Sequence, residues 1–309
     1  MQQSSTVAAA APTESLEQVI ARLARGASVE INFQDVKHLD ESRALLPAGS
    51  RVFISHLPKQ TWEETESASR AVRDAGFDPV PHIPVRLLPD EATLDRVLGA
   101  FVGNAGVREV LLISGDYPEA VGPYSTVAAV LRTGLLSRHG LKRVSIAGHP
   151  EGHPKAALAD IRSAESERTE LAAAAGIEAS LVTQFFFESA PFLDWVRDLR
   201  ARGIKARVVG GLAGPASLAA LFRFAARCGA GPSVRALGQR PASLLKLVGD
   251  RGPEDVLRGL AASLVAGRSD FAGIHMFCFG GYLRACAWLN AVAAGRFKLD
   301  NKGGFTVQT

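Results

Sequence analysis

The 309-residue chain is 47% hydrophobic and 21% charged, enough to bury a large core, which excludes disorder for most of its length. A net charge of +4 with basic and acidic residues interspersed excludes a nucleic-acid stripe, and no apolar run approaches the ~18 residues of a membrane span. Cys228, Cys278 and Cys286 make neither a paired framework nor a CxxC, so buried thiols and a cytoplasmic location are expected.

Residues 1–14 lack the basic start of a secretory signal and read as a flexible tail; residues 15–309 read as a single domain. Ser15 can cap a helix carrying Leu16, Val19, Ile20 and Leu23 on one face and ended by Gly26. Strands are then expected over Ser28–Phe33 and Arg51–Leu57, with a helix from Trp62 to Ala75. The third strand, Pro79–Pro84, is unusual for its prolines, and Asp90 caps the helix that follows. The run Glu109-Val110-Leu111-Leu112-Ile113 ends in Ser114-Gly115-Asp116 and is too short for a helix, so it reads as a strand buried on both faces. Further strands are expected over Arg143–Gly148, Ser180–Phe187, Ala206–Leu212 and Gly273–Gly280, separated by helical patterns that include Asp160–Ala175 and the stretch bearing Phe192, Trp195 and Leu199. Eight buried strands alternating with helices predict a (β/α)8 barrel with an extra N-terminal helix; an open doubly wound sheet is the alternative, but no GxGxxG follows the first strand.

Ligands gather at the C-terminal ends of barrel strands, where the βα loops converge. Those ends carry Glu30, Ser55 or His56, His82, Asp116, His149 with Glu151 and His153, Gln184, and the Gly210-Gly211 turn. Asp116 taken alone is equally a turn cap before Pro118. The two histidines and Glu151 sit between prolines in a loop rather than on the helix of an HExxH site, so no metal is expected. No GxSxG supports acyl transfer.

Leu112-Ile113-Ser114-Gly115-Asp116-Tyr117-Pro118, Ile146-Ala147-Gly148-His149-Pro150-Glu151-Gly152-His153-Pro154 and Thr183-Gln184-Phe185-Phe186-Phe187, in that order and spacing, resemble the methylenetetrahydrofolate reductase family, with Val29-Glu30-Ile31 and Val80-Pro81-His82-Ile83 extending the match. The resemblance implies a barrel that binds FAD without a Rossmann fingerprint, uses NADH or NADPH as cosubstrate and reduces a folate in one-carbon metabolism. It implies that Glu30 is the catalytic acid and that Asp116 lies beside the flavin, tuning its potential and assisting folate binding. Gln184 is then a pterin contact, and Phe224 packs on the folate or nicotinamide. Ser55, His82, Ser114, Gly115, Tyr124, His149, His153, Asp160 and Arg168 are the implied cofactor contacts. A small-molecule folate is the implied partner, with no nucleic acid or membrane; homo-oligomer formation is left open.

The chain departs from the family pattern where Ser114 replaces an arginine of Arg-Gly-Asp, and the helix after the histidine loop keeps only Asp160 and Arg168 as polar anchors. His149 and His153 are therefore expected to compensate, with flavin retention tightening as they protonate below ~6.5. A family arginine associated with the folate falls on Gly281, with Arg284 one turn on as its substitute. Two other readings stand beside the reductase: a barrel lyase or aldolase whose Gly210, Gly211 and Gly214 cradle a phosphate, and a non-catalytic folate-binding relative.

Overall fold

The computed structural model describes residues 14–115, 117–153, 156–216 and 252–308. The expected tail therefore lies outside the described residues but for Glu14, as do Asp116 and Phe224. Eight parallel strands close into a barrel in sequence order. They are β1 (Ser28–Ile31), β2 (Arg51–Ile54), β3 (Asp78–Pro84), β4 (Glu109–Ile113), β5 (Arg143–Gly148), β6 (Glu178–Phe186), β7 (Arg207–Ala213) and β8 (Gly273–Phe277). The seam closes where Ser28 of β1 pairs with His275 of β8 and Val29 with Met276.

Helix α1 (Leu16–Arg25) starts from a reciprocal capping box between Ser15 and Gln18, ends at Gly26, and buries Val19, Ile20 and Leu23. In chain order there follow α2 (Leu39–Ser42), α3 (Trp62–Asp74), α4 (Glu91–Ala105), α5 (Val127–Arg132), α6 (Leu135–Arg138), α7 (Leu158–Ala174), α8 (Ser189–Ala201), α9 (Glu254–Val265) and α10 (Tyr282–Ala293). Helix α1 packs against α9 and α10, and Arg25 Nη2 donates to the Ala293 carbonyl at 2.8 Å. The Asp90 carboxylate accepts from the Thr93 amide at 2.7 Å to begin α4, and Gly106 ends that helix in the left-handed region.

The prolines do not remove β3 from the sheet: its six residues after Asp78 are all buried, and its ladder to β2 runs from Arg51↔Asp78 to Ile54↔Pro81. Burial between two neighbours and two faces outweighs the missing donors. A hairpin of β9 (Phe297–Leu299) and β10 (Phe305–Val307), which the sequence reading did not anticipate, packs its Phe297 and Phe305 rings 5.0 Å apart. Arg258 of α9 holds it by donating to the Asp300 carbonyl at 3.0 Å.

Inside the barrel, Phe53, Val80, Leu111, Val182 and Val209 form an apolar layer. At the mouth where the strands begin, Glu109 is 2% exposed, accepts from Ser145 Oγ at 2.7 Å, and faces Arg143 Nε at 3.4 Å and Arg51 Nη1 at 3.8 Å. This charge cluster plugs the end of the barrel at which the strands begin.

Candidate active site at the barrel mouth

Glu30 faces the interior because Val29 and Ile31 on either side of it point into the apolar layer between sheet and helices, and strand side chains alternate. Three strands deliver partners to its carboxylate. Ser55 Oγ, one residue past β2, donates to Oε1 at 3.0 Å. His82 Nε2 of β3 lies 3.5 Å from Oε2, and His275 Nε2 of β8 lies 3.8 Å from the same oxygen. The other nitrogen of His275, Nδ1, shares a 2.9 Å hydrogen bond with Ser28 Oγ, which fixes the ring so that Nε2 points at Glu30. Phe53 sets its ring edge-to-face against His275 at 4.6 Å and His82 at 6.1 Å between centroids, closing the apolar side of the cluster.

The electrostatics follow from this packing. Burial pushes the Glu30 carboxyl up, but the nearby His275, the charge of His82 and the Ser55 hydroxyl together hold it below its ordinary range. His82 is pushed down, chiefly by burial and further by His275, with Glu30 opposing. Behind it His56, stacked on Trp62 at 4.2 Å and bonded through Nδ1 to Thr65 Oγ1 at 2.8 Å, is pushed down to about 4 by burial, with His82 adding to the effect. Glu30, Ser55 and His82 were expected at strand ends, and the fold brings them together. His275 was missed. It lies mid-strand rather than at an end, and the signal that could have found it is a single imidazole inside an otherwise apolar, buried strand.

Gln184 sits at a register break between Val182 and Phe185 of β6 and is half-buried. The break leaves the Gly211 amide of β7 to donate to Thr183 Oγ1 at 2.8 Å. Gly211 and Gly214 are packing glycines: a Cβ on Gly211 would stand 2.5 Å from the Thr183 carbonyl oxygen, and one on Gly214 2.8 Å from that of Phe277. That space is filled by backbone, which removes the basis for a phosphate cradle there.

The β4 end supplies Ser114 and Gly115, with Gly115 at φ +83°, a conformation that side chains rarely adopt. The following loop is clamped by Arg86, whose Nη1 donates to the Tyr117 carbonyl at 2.7 Å and Nε to that of Ser125 at 3.1 Å. Tyr124 is buried among core side chains. Past β5, His149 and His153 meet edge-to-face at 5.5 Å. Burial, then His153 and Arg168, push His149 down to about 4, so protonation near pH 6.5 does not occur at this ring. Asp160 is exposed in the first turn of α7. Arg168, two turns on, has its Nε buried without a hydrogen-bond partner, and its guanidinium is pushed down by burial, with Glu167 and Glu165 opposing. An unpaired buried guanidinium nitrogen is a costly group unless an anion completes it, which is the chemistry a flavin pyrophosphate would supply. Arg284 is exposed near the start of α10.

A crevice of about 250 Å³ opens outside the barrel between α7 and α8, beside His149 and Trp195. Its carboxylates are satisfied internally: Glu165 accepts from Trp195 Nε1 at 2.9 Å and Arg202 Nη2 at 2.5 Å, and Asp198 from Arg202 Nε at 2.9 Å. Among the described residues no group of three or more His, Cys, Asp or Glu could hold a metal, and no helix is long and apolar enough to cross a membrane.

Fold and site together define a (β/α)8 barrel with a histidine-flanked carboxylate in its interior. The chain belongs to the methylenetetrahydrofolate reductase family, whose model matches residues 36–232. It is 29% identical over 176 residues to methylenetetrahydrofolate reductase (NADH) 1 of Arabidopsis thaliana, covering 53% of this chain and 29% of that protein. It is 27% identical over 165 residues to 5,10-methylenetetrahydrofolate reductase of Pectobacterium carotovorum subsp. carotovorum, covering 53% of each. The matched stretch thus spans about half or less of these relatives' length. Among solved structures, dihydropteroate synthase from Thermus thermophilus superposes with a TM-score of 0.45 at 13% identity, covering 86% of this chain and 92% of that chain.

Proposed function

We propose that the protein reduces 5,10-methylenetetrahydrofolate to 5-methyltetrahydrofolate, with FAD as bound cofactor and NADH or NADPH as electron donor. The observation that carries this reading is the Glu30 carboxylate with Ser55 Oγ at 3.0 Å and two imidazole Nε2 atoms at 3.5 and 3.8 Å, inside a barrel of this family.

FAD, when bound, supplies the hydride that reduces the methylene carbon. Arg168, His153 and Asp160 are the residues that would hold it, with Ser114 and Gly115 at the β4 end; the unsatisfied Arg168 Nε supports an anionic ligand on this side. Glu30 acts as general acid on the bridge nitrogen: its proton goes to that nitrogen, the carbon–nitrogen bond opens, and the electron pair stays on the nitrogen. Because the resting carboxyl is held below its ordinary range, the proton must reach it before each turnover, and the imidazoles facing Oε2 are the groups within reach. Gln184, with both a donor and an acceptor, orients the pterin.

Anaerobic spectrophotometry tests this reading. The purified protein is expected to carry flavin absorbance near about 450 nm. NADH or NADPH should bleach it and 5,10-methylenetetrahydrofolate restore it. A protein that neither retains added FAD nor reduces the folate would overturn the reading.

A further inference from the structure

The loop from β4 to α5 is fastened to the barrel rim by one residue of the neighbouring strand's end. Besides donating to the Tyr117 and Ser125 carbonyls through its side chain, Arg86 accepts at its own carbonyl from the Val121 amide at 2.8 Å. The beginning, the middle and the end of the loop are thus tied to a single arginine. A Cβ on Gly122 would stand 2.1 Å from the Pro89 carbonyl oxygen, so it is the missing side chain at 122 that lets the loop lie against the segment following β3.

Where the cation stands matters as much as what it bonds. Pro84 of β3 pairs with Ile113 of β4 in parallel register, so Arg86 and Gly115, each two residues further on, leave the sheet at the same level on adjacent strands. Tyr117, whose carbonyl the guanidinium holds, folds its ring over Gly115: a Cβ there would meet the ring at 2.8 Å. Both acceptors are neutral carbonyl oxygens, so these bonds orient the guanidinium without cancelling its charge. Ser114 occupies the place of the arginine in Arg-Gly-Asp, and Arg86 brings a guanidinium to the same rim from one strand over.

We propose that Arg86 stands in for the arginine absent at 114: it holds the loop between β4 and α5 in the shape that receives the flavin, and it supplies the positive charge that favours the reduced ring. The inference rests on the FAD reading above and makes Arg86 a positioning residue of that site. A cation near the isoalloxazine stabilises the anionic reduced form and so raises the midpoint potential. A guanidinium donating in a fixed fork to two separate carbonyls is a grip that a lysine cannot reproduce.

Two measurements on the full chain test it: FAD affinity by flavin fluorescence, and the midpoint potential of the FAD-loaded protein by redox titration. Arg86→Ala should weaken FAD about ten-fold or more and make the potential more negative. Arg86→Lys keeps the charge and loses the fork, so it should weaken FAD while holding the potential near that of the parent. Adding Ser114→Arg to Arg86→Ala should return the potential toward the parent value. If Arg86→Ala does not fold, Arg86→Gln, which retains a donor, carries the same expectation for the potential. A potential unchanged on loss of Arg86, or one that Ser114→Arg does not restore, would overturn the proposal even where FAD binds more weakly, because loss of a structural clamp alone would do that. FAD bound as tightly without Arg86 as with it would also overturn the proposal and leave the FAD reading intact. A parent protein that binds no FAD would overturn that reading and this proposal with it.

Discussion

His275 Nε2 and Glu30 Oε2 face each other at 3.8 Å across the seam between the last and first barrel strands. His275 is the largest influence opposing the burial of Glu30. Replacing His275 with alanine leaves desolvation less opposed, so the Glu30 carboxyl should titrate at higher pH than in the parent. The pH dependence of the folate half-reaction, followed from pH 5 upward, reports this as an upward move of the limb that Glu30 controls. A downward or absent movement removes His275 from this role.

Glu30→Gln keeps the shape of the cluster and removes its acid. Flavin reduction by NADH should remain nearly intact while folate reduction falls by ~10²-fold or more, the usual loss when a general acid is removed. Stopped-flow traces of the two half-reactions separate these effects. Equal slowing of both would make Glu30 a structural carboxylate.

His56 and His149 are each pushed down to about 4 by burial, far below the ordinary ~6.5 of an unfolded histidine. The unfolded chain therefore takes up protons between those values and the folded chain does not, so stability present at neutral pH declines as pH falls from ~6.5 toward about 4. Urea midpoints at pH 7 and pH 5 measure the slope. His56→Gln, which can still bond Thr65, should flatten it. Flavin affinity, so far as it depends on His149, should be level between pH 5.5 and 8.5, contrary to the tightening expected for ordinary histidines.

Glu165, 2% exposed, ties α7 to α8 through Trp195 and Arg202. Glu165→Ala leaves the Arg202 charge and the indole N–H without that partner, and should destabilise the fold by about 3 kcal/mol. Chemical denaturation gives the value. A cost below about 1 kcal/mol would mean that water replaces the carboxylate readily.

The barrel was legible because its strands are short β-branched runs whose alternation with helical patterns leaves few topologies, and Arg143–Gly148 was bounded as observed. The proline-rich β3 was less legible, since local propensity argues against what burial enforces. The hairpin of β9 and β10 was missed: its two strands are only three residues long each, and its stability comes from Arg258 and α9 rather than from its own pattern. In the site, Glu30, Ser55 and His82 were readable as polar residues at strand ends. His275 was not, because what turns its ring toward Glu30 is register with Ser28 across the seam, a relation no local window contains.

That seam also makes catalytic competence a late event in the life of the chain. Ser28 and His275, which together orient the ring toward Glu30, are 247 residues apart, so the full cluster around Glu30 does not exist until the last barrel strand docks against the first. A nascent or clipped chain can bury much of its core and still be chemically silent. Under the proposed function, turnover is a direct report of ring closure, more sensitive than helix content to a fault at either end.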